Sequence, residues 1–220
     1  YSKKSSNKKM TFKELAKNSY FYPGPKGLPL KEKANHDVLL DVTSTWFSPN
    51  TAQNPTSTYT TFCSGADLVI VEVDPDTGTV TILNYVHVHD AGTVIDQGVV
   101  DGQIYGGIVQ GIGEALYEEL IYNQVGQLLS NSYSDFLIPT TLDSPDIVIG
   151  HLYNPSPFTE LGTKGMGEAP IIGSKVAIIN AVEDALSPLG VSVDEAPATK
   201  ERIRKWILKT QGREIYEDTY

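Results

Sequence analysis

Residues 102–120 constrain the fold of this chain more than any other stretch. Ile104, Ile108, Ile112 and Leu116 recur every four residues, which lays one apolar stripe along a helix. The same stretch holds Gly102, Gly106, Gly107, Gly111 and Gly113. In a helix interior each glycine costs about 1 kcal/mol relative to alanine. A helix that keeps such a series makes sense where another backbone, or a ligand, comes very close. Asp101 is placed as the N-cap of this helix. Gln103 then falls in the first turn, where unpaired N–H groups and the dipole favour an anion. A glutamine there offers two donors and an acceptor without charge. An exposed first-turn glutamine explains the residue equally well.

The other elements follow from period and turn residues. Asp37–Trp46 and Leu68–Val73 are rich in β-branched residues and read as strands. Asp74-Pro-Asp-Thr-Gly78 is a strong turn, after which Val80, Ile82, Val86 and Val88 give the second strand of a hairpin. A turn at Gly126, a strand over Tyr133–Ile138 ending at Pro139, and a strand over Ile147–Leu152 come next. Ser174–Leu186 reads as a helix with Val176, Ile179, Val182 and Leu186 inward, stopped by Pro188 and Gly190. Thr199–Thr210 reads as a third, with Ile203, Trp206 and Ile207 inward. The class is α+β, with antiparallel or mixed sheets and packed helices. Residues 1–35 form a lysine-rich arm followed by a Pro/Gly-rich linker, and residues 36–220 form the folded domain.

Charge narrows the function. The net charge is −10, and no Lys or Arg occurs between Lys33 and Lys164, a span that holds 16 of the 27 acidic residues. So acidic a middle repels nucleic acid, whose binding depends on cations that neutralise phosphates. The single cysteine, Cys63, excludes an internal disulfide framework, a cysteine-only zinc site and an iron–sulfur cluster held by this chain alone. Cys63 itself reads as a small packing residue. No run of eighteen apolar residues and no signal-peptide core is visible, so a cytoplasmic location is expected. The chain opens on Tyr1, which is not an initiator residue, so either a split subunit or a fragment of a longer chain is expected.

Chemistry is concentrated in Leu161-Gly-Thr-Lys-Gly-Met-Gly-Glu-Ala-Pro170. Gly162, Gly165 and Gly167 lead to Glu168 just before a helix, and a carboxylate on a glycine-lined turn can meet a substrate unobstructed. Lys164 and free N–H groups could instead cradle a phosphate, although the spacing is not that of a P-loop. On spacing alone, the plainer reading of a structural loop with a solvated glutamate has the better claim. His87 and His89 share one strand face, as a metal pair would, yet no third ligand follows at a matching spacing. Ordinary hydrogen-bonded strand histidines are the simpler reading, and no metal ligands are assigned. Glu114, Glu118 and Glu119 read as a solvated helix face.

In order along the chain, Val71-Glu-Val-Asp-Pro-Asp-Thr-Gly78, His89-Asp-Ala-Gly92, Gly102-Gln-Ile-Tyr-Gly-Gly107, Gln110-Gly-Ile-Gly113, Glu118-Glu119, Ile138-Pro-Thr140, Asn154-Pro-Ser-Pro157 and Gly162-Thr-Lys-Gly-Met-Gly-Glu168 form a specific set. This set resembles the C-terminal part of the molybdenum-binding large subunit of the xanthine oxidase family. That family includes xanthine dehydrogenases, aldehyde oxidoreductases and aerobic carbon monoxide dehydrogenases. Ile95-Asp96-Gln97 departs from the usual Ile-Asn-Pro and alters a turn.

The resemblance implies that Glu168 is the general base of a hydroxylation with water-derived oxygen, acting on an aldehyde, N-heterocycle or similar small molecule. It implies that Gln103 and Gly102 bind molybdopterin cytosine dinucleotide, with the molybdenum held by the pterin rather than by protein ligands. Iron–sulfur clusters, and in some relatives FAD, sit on partner domains or subunits. The remainder of the large subunit would then be required for activity. A non-catalytic assembly subunit that keeps the fold is the alternative.

Overall fold

The computed structural model describes residue 11 and residues 61–213. The linker and the strand expected at Asp37–Trp46 lie outside the described residues, as does the arm apart from residue 11. The turn at 74–78 closes on itself as its sequence requires. Asp74 accepts from the Asp76 N–H at 2.9 Å and from the Thr77 hydroxyl at 2.7 Å, and Gly78 takes a φ of +77°. It joins β1 (Ser64–Val73) to β2 (Val80–Asp90) in the expected antiparallel hairpin. β3 (Ile147–Leu152) then runs parallel to β2, so the sheet is mixed, with order β1-β2-β3.

Among the described residues three α-helices accompany the sheet: α1 (Gln97–Leu116), α2 (Ala169–Leu186) and α3 (Lys200–Thr210). α2 lies on β1 and α1 lies on α2. Their inner sides make one core of Ile104, Ile108, Ile112, Ile178, Val182 and Leu186, joined by Tyr85 from β2 and by Ile203 and Ile207 from α3. Among the described residues nothing covers the opposite face of the sheet, where Leu68, Ile70, Val148 and Leu152 are 47–62% exposed. Among the described residues, no helix is long and apolar enough to cross a membrane.

The glycines of α1 explain how closely the two helices approach. A Cβ on Gly111 would stand 1.8 Å from the Ser174 hydroxyl oxygen, and one on Gly107 would stand 2.9 Å from the Pro170 Cβ. Here a neighbouring helix is the close backbone that the sequence demanded.

Four expectations need correction. α1 starts at Gln97, because Asp96 accepts from the Val99 N–H at 3.1 Å and caps it. Asp101 is therefore not the cap, and Gln103 lies in the second turn rather than at the anion-attracting start. At the other end, the N–H groups of Tyr117 and Glu118 both turn back to the Gly113 carbonyl, at 2.9 and 2.8 Å. Glu118 and Glu119 thus leave the helix, and only Glu114 stays on it. The strand expected at Tyr133–Ile138 is a turn, tied by the Ser132 carbonyl, which accepts from Phe136 N at 2.7 Å, and by its hydroxyl, which donates to Asp135 at 2.6 Å. Such local bonds compete with a sheet ladder. Lastly, α2 starts at Ala169, with Pro170 in its first turn. Its inward stripe runs Pro170, Ser174, Ile178, Val182 and Leu186, which leaves Val176 56% exposed.

Candidate active site

β2 ends in Asp90, and the chain that follows binds the glycine loop backbone to backbone. Thr93 N donates to the Gly162 carbonyl at 2.9 Å, and Lys164 N donates to the Ala91 carbonyl at 3.0 Å. Gly92, at φ +66°, has no room for a side chain, since a Cβ would stand 2.3 Å from the Gly162 oxygen. Below this seam the Asp90 carboxylate, 4% exposed, accepts from Gly92 N at 2.9 Å, from Asn154 Nδ2 at 3.4 Å and from Lys164 Nζ at 2.5 Å. Burial alone would raise the Asp90 pKa. The Lys164 bond and charge, with the Gly92 and Asn154 donors, outweigh burial and hold it below the ordinary 3.8. Lys164 is consequently spent on Asp90, with its side chain only 9% exposed, so its ammonium is not set out for a phosphate.

From Lys164 the loop climbs through Gly165, Met166 and Gly167 to Glu168, the N-cap residue of α2. Met166 leans on the core, while Glu168 is exposed and makes no capping bond with its side chain. Gln103 reaches this loop from α1 and donates from Nε2 to the Gly167 carbonyl at 3.3 Å. Gln103 and Gly167, 64 apart in sequence, therefore meet next to Glu168. Gly102 and Gly106, four apart on the same helix, face open space with nothing within 4 Å of a built Cβ. Bare helix backbone, a neutral amide and an exposed carboxylate thus share one surface. The sequence reading missed Asp90 and Asn154 as partners of Lys164.

The histidines form a buried chain. Asp67 Oδ1 accepts from the Tyr85 hydroxyl at 2.9 Å and pairs with His87 Nδ1 at 2.8 Å, while His87 Nε2 lies 3.2 Å from His89 Nδ1. His89 Nε2 is buried without a partner among the described residues. Burial first, then the neighbouring His87 and His151, lowers the His89 pKa below 6.5, so His89 stays neutral. These are hydrogen-bonded strand histidines, and no group of three or more metal-ligating side chains occurs among the described residues. Asp101 pairs with His151 at 2.9 Å, and Glu119 pairs with Arg202. Cys63 is half-buried and free.

Two surface hollows, of about 700 and 220 Å³, lie elsewhere: one beside Val191 and Trp206, the other beside Val80 and Ala198. Neither includes Gln103 or Glu168.

The molybdopterin cofactor-binding domain family matches residues 1–145. The large subunit of nicotine 6-hydroxylase from Paenarthrobacter nicotinovorans is 42% identical over 162 residues, covering 72% of this chain and 20% of that protein. The large chain of carbon monoxide dehydrogenase from Afipia carboxidovorans is 31% identical, covering 89% of this chain and 22% of that one. The crystal structure of quinoline 2-oxidoreductase from Pseudomonas putida 86 superposes with a TM-score of 0.65 at 45% identity, covering 69% of this chain and 19% of that one. The chain thus spans about a fifth of the length of these relatives. It belongs to the molybdopterin-binding large-subunit family of the xanthine-oxidase-type molybdenum hydroxylases.

Proposed function

We propose that this chain supplies the general base and one wall of the cofactor site of a molybdenum hydroxylase acting on an N-heteroaromatic substrate. The observation that carries the reading is the contact of Gln103 with Gly167, which sets a neutral donor beside the exposed Glu168. The residues fit such a cofactor: Gly102 and Gly106 offer helix backbone with open space above it, and Gln103 offers an amide. These residues would hold the molybdopterin, here taken as the cytosine dinucleotide form, without a cation from this side. When bound, the cofactor supplies the two-electron redox chemistry of hydroxylation with oxygen drawn from water.

The chain's own part is to place and receive a proton. Glu168 does not cap its helix, so its carboxylate is left to accept the proton of the attacking oxygen. Gly165 and Gly167 keep side chains out of the approach. The N-heteroaromatic choice follows the relatives named for nicotine and quinoline, at 42% and 45% identity against 31% for carbon monoxide dehydrogenase. The relatives' names, large subunit and large chain, support partner subunits; iron–sulfur and flavin groups are assigned to those partners.

Glu168→Gln, in the complex with the rest of the enzyme, is expected to lower kcat by about 10²–10⁴-fold, the usual worth of a positioned base, while molybdenum content stays at the parent level. Normal turnover by that variant would overturn the role. Turnover of quinoline or nicotine, but not of xanthine or benzaldehyde, is the expected specificity.

A further inference from the structure

We infer that Lys164 is a positioning residue: its ion pair with Asp90 fixes the Gly162–Glu168 loop against the end of β2 and so sets where the Glu168 carboxylate stands. The inference rests on the reading of Glu168 as the base.

The loop cannot hold itself. Gly162, Gly165 and Gly167 remove side-chain restraint from three of its seven positions, and a Cβ on Gly165 would meet nothing within 4 Å. Its hold comes from outside. The backbone bonds at Thr93 and Lys164 fix its first half. Beyond them stand the Met166 contact with the core and the long 3.3 Å bond from Gln103. Lys164 is the last residue of the well-tied half and the hinge into the glycine-rich half. Its ammonium is drawn down 2.5 Å from Asp90 Oδ2, with side-chain exposures of 9% and 6%.

Asp90 is in turn fixed by Gly92 N at 2.9 Å and Asn154 Nδ2 at 3.4 Å, so the ammonium binds a carboxylate that does not move with the loop. A buried ion pair is weak support for stability, because an apolar pair of similar volume is often as stable. What a directional, buried pair provides is one fixed geometry. The sequence agrees, since a chain with no other cation from residue 34 to 163 buries the next one under this loop. A misplacement of about 1 Å at a reacting group can cost about 10²-fold in rate, so a residue that never touches substrate can still control turnover.

The test uses the assembled enzyme and the double variant Asp90→Asn/Lys164→Met, which removes both charges together, with Lys164→Arg and Glu168→Gln alongside. The double variant is expected to keep parent molybdenum content and melting temperature and to lose kcat by about 10–100-fold at unchanged KM. Lys164→Arg, which keeps the pair, is expected to stay within about threefold of the parent. If Glu168→Gln turns over normally, the base reading fails and the inference with it. If Glu168→Gln is inactive while the double variant turns over like the parent, the base reading stands and the positioning role is wrong. Loss of kcat only in proportion to lost molybdenum makes the pair purely structural and also overturns it. Should the double variant fail to assemble, Lys164→Gln decides, since it removes the ammonium and shortens the side chain while leaving a polar group near Asp90. A loss of at least about tenfold in kcat at parent KM supports the role, and parent kcat overturns it.

Discussion

One helix, α1, uses glycine for two opposite reasons. At Gly107 and Gly111 the missing side chain is filled by α2, whose Pro170 and Ser174 occupy the space a Cβ would take. At Gly102 and Gly106 the missing side chain leaves nothing but open surface. The first pair holds the fold together, and the second costs the helix stability with no packing in return. Residues that weaken a helix and touch nothing among the described residues make sense as a surface shaped for something beyond them.

Substitutions should separate the two sets, and the largest effect belongs to the closed pair. Gly111→Ala places a Cβ 1.8 Å from the Ser174 oxygen and 2.7 Å from its Cβ, so α1 and α2 must part. Overpacking of this kind costs about 1–3 kcal/mol, read as a lower melting temperature of the complex, and adding Ser174→Gly should recover part of the loss.

A smaller effect sharpens the same side of the contrast. His89 is buried near the end of β2, and burial keeps its pKa below 6.5, which favours the neutral ring. Unfolding therefore takes up a proton once pH drops below that value, so stability is complete above about 6.5 and declines as pH falls toward the folded pKa. Thermal unfolding at pH 7.5 and 5.5 should show the drop, and His89→Leu should flatten it.

The smallest effect belongs to the open pair and has the opposite sign. Gly102→Ala and Gly106→Ala should each raise stability, by up to about 1 kcal/mol. On the proposed function the same changes should lower molybdenum retention. A variant that gains stability and keeps full molybdenum would remove the distinction between the two sets.

The sequence made some of this legible, and the reasons are physical. The Ile104–Leu116 stripe and the Asp74–Gly78 hairpin follow from period and turn chemistry, which are local. The stripe of α2 was misread because its seam residue, Ser174, is polar yet fully buried, so apolar periodicity pointed to Val176 instead. The start of α1 was misplaced because Asp96 and Asp101 are both good caps, and only geometry chooses between them. Glu168 and Gln103 could be named from motif order. The bond between Asp90 and Lys164 spans 74 residues, and nothing local in either segment announces the other.

The bare sheet face has a consequence for how this polypeptide is made. β1 reads Leu68-Val-Ile-Val71, apolar on both sides, yet among the described residues α2 covers only one of them. A strand with two apolar faces belongs between two layers, and among the described residues β1 and β3 also present unpaired outer edges in this sheet. Synthesised alone, the chain would be sticky and short-lived, prone to self-association before any cofactor could arrive. On the proposed function, its yield in a cell should then follow the supply of the rest of the enzyme, and expressing the two together should raise soluble protein far more than raising the dose of either one.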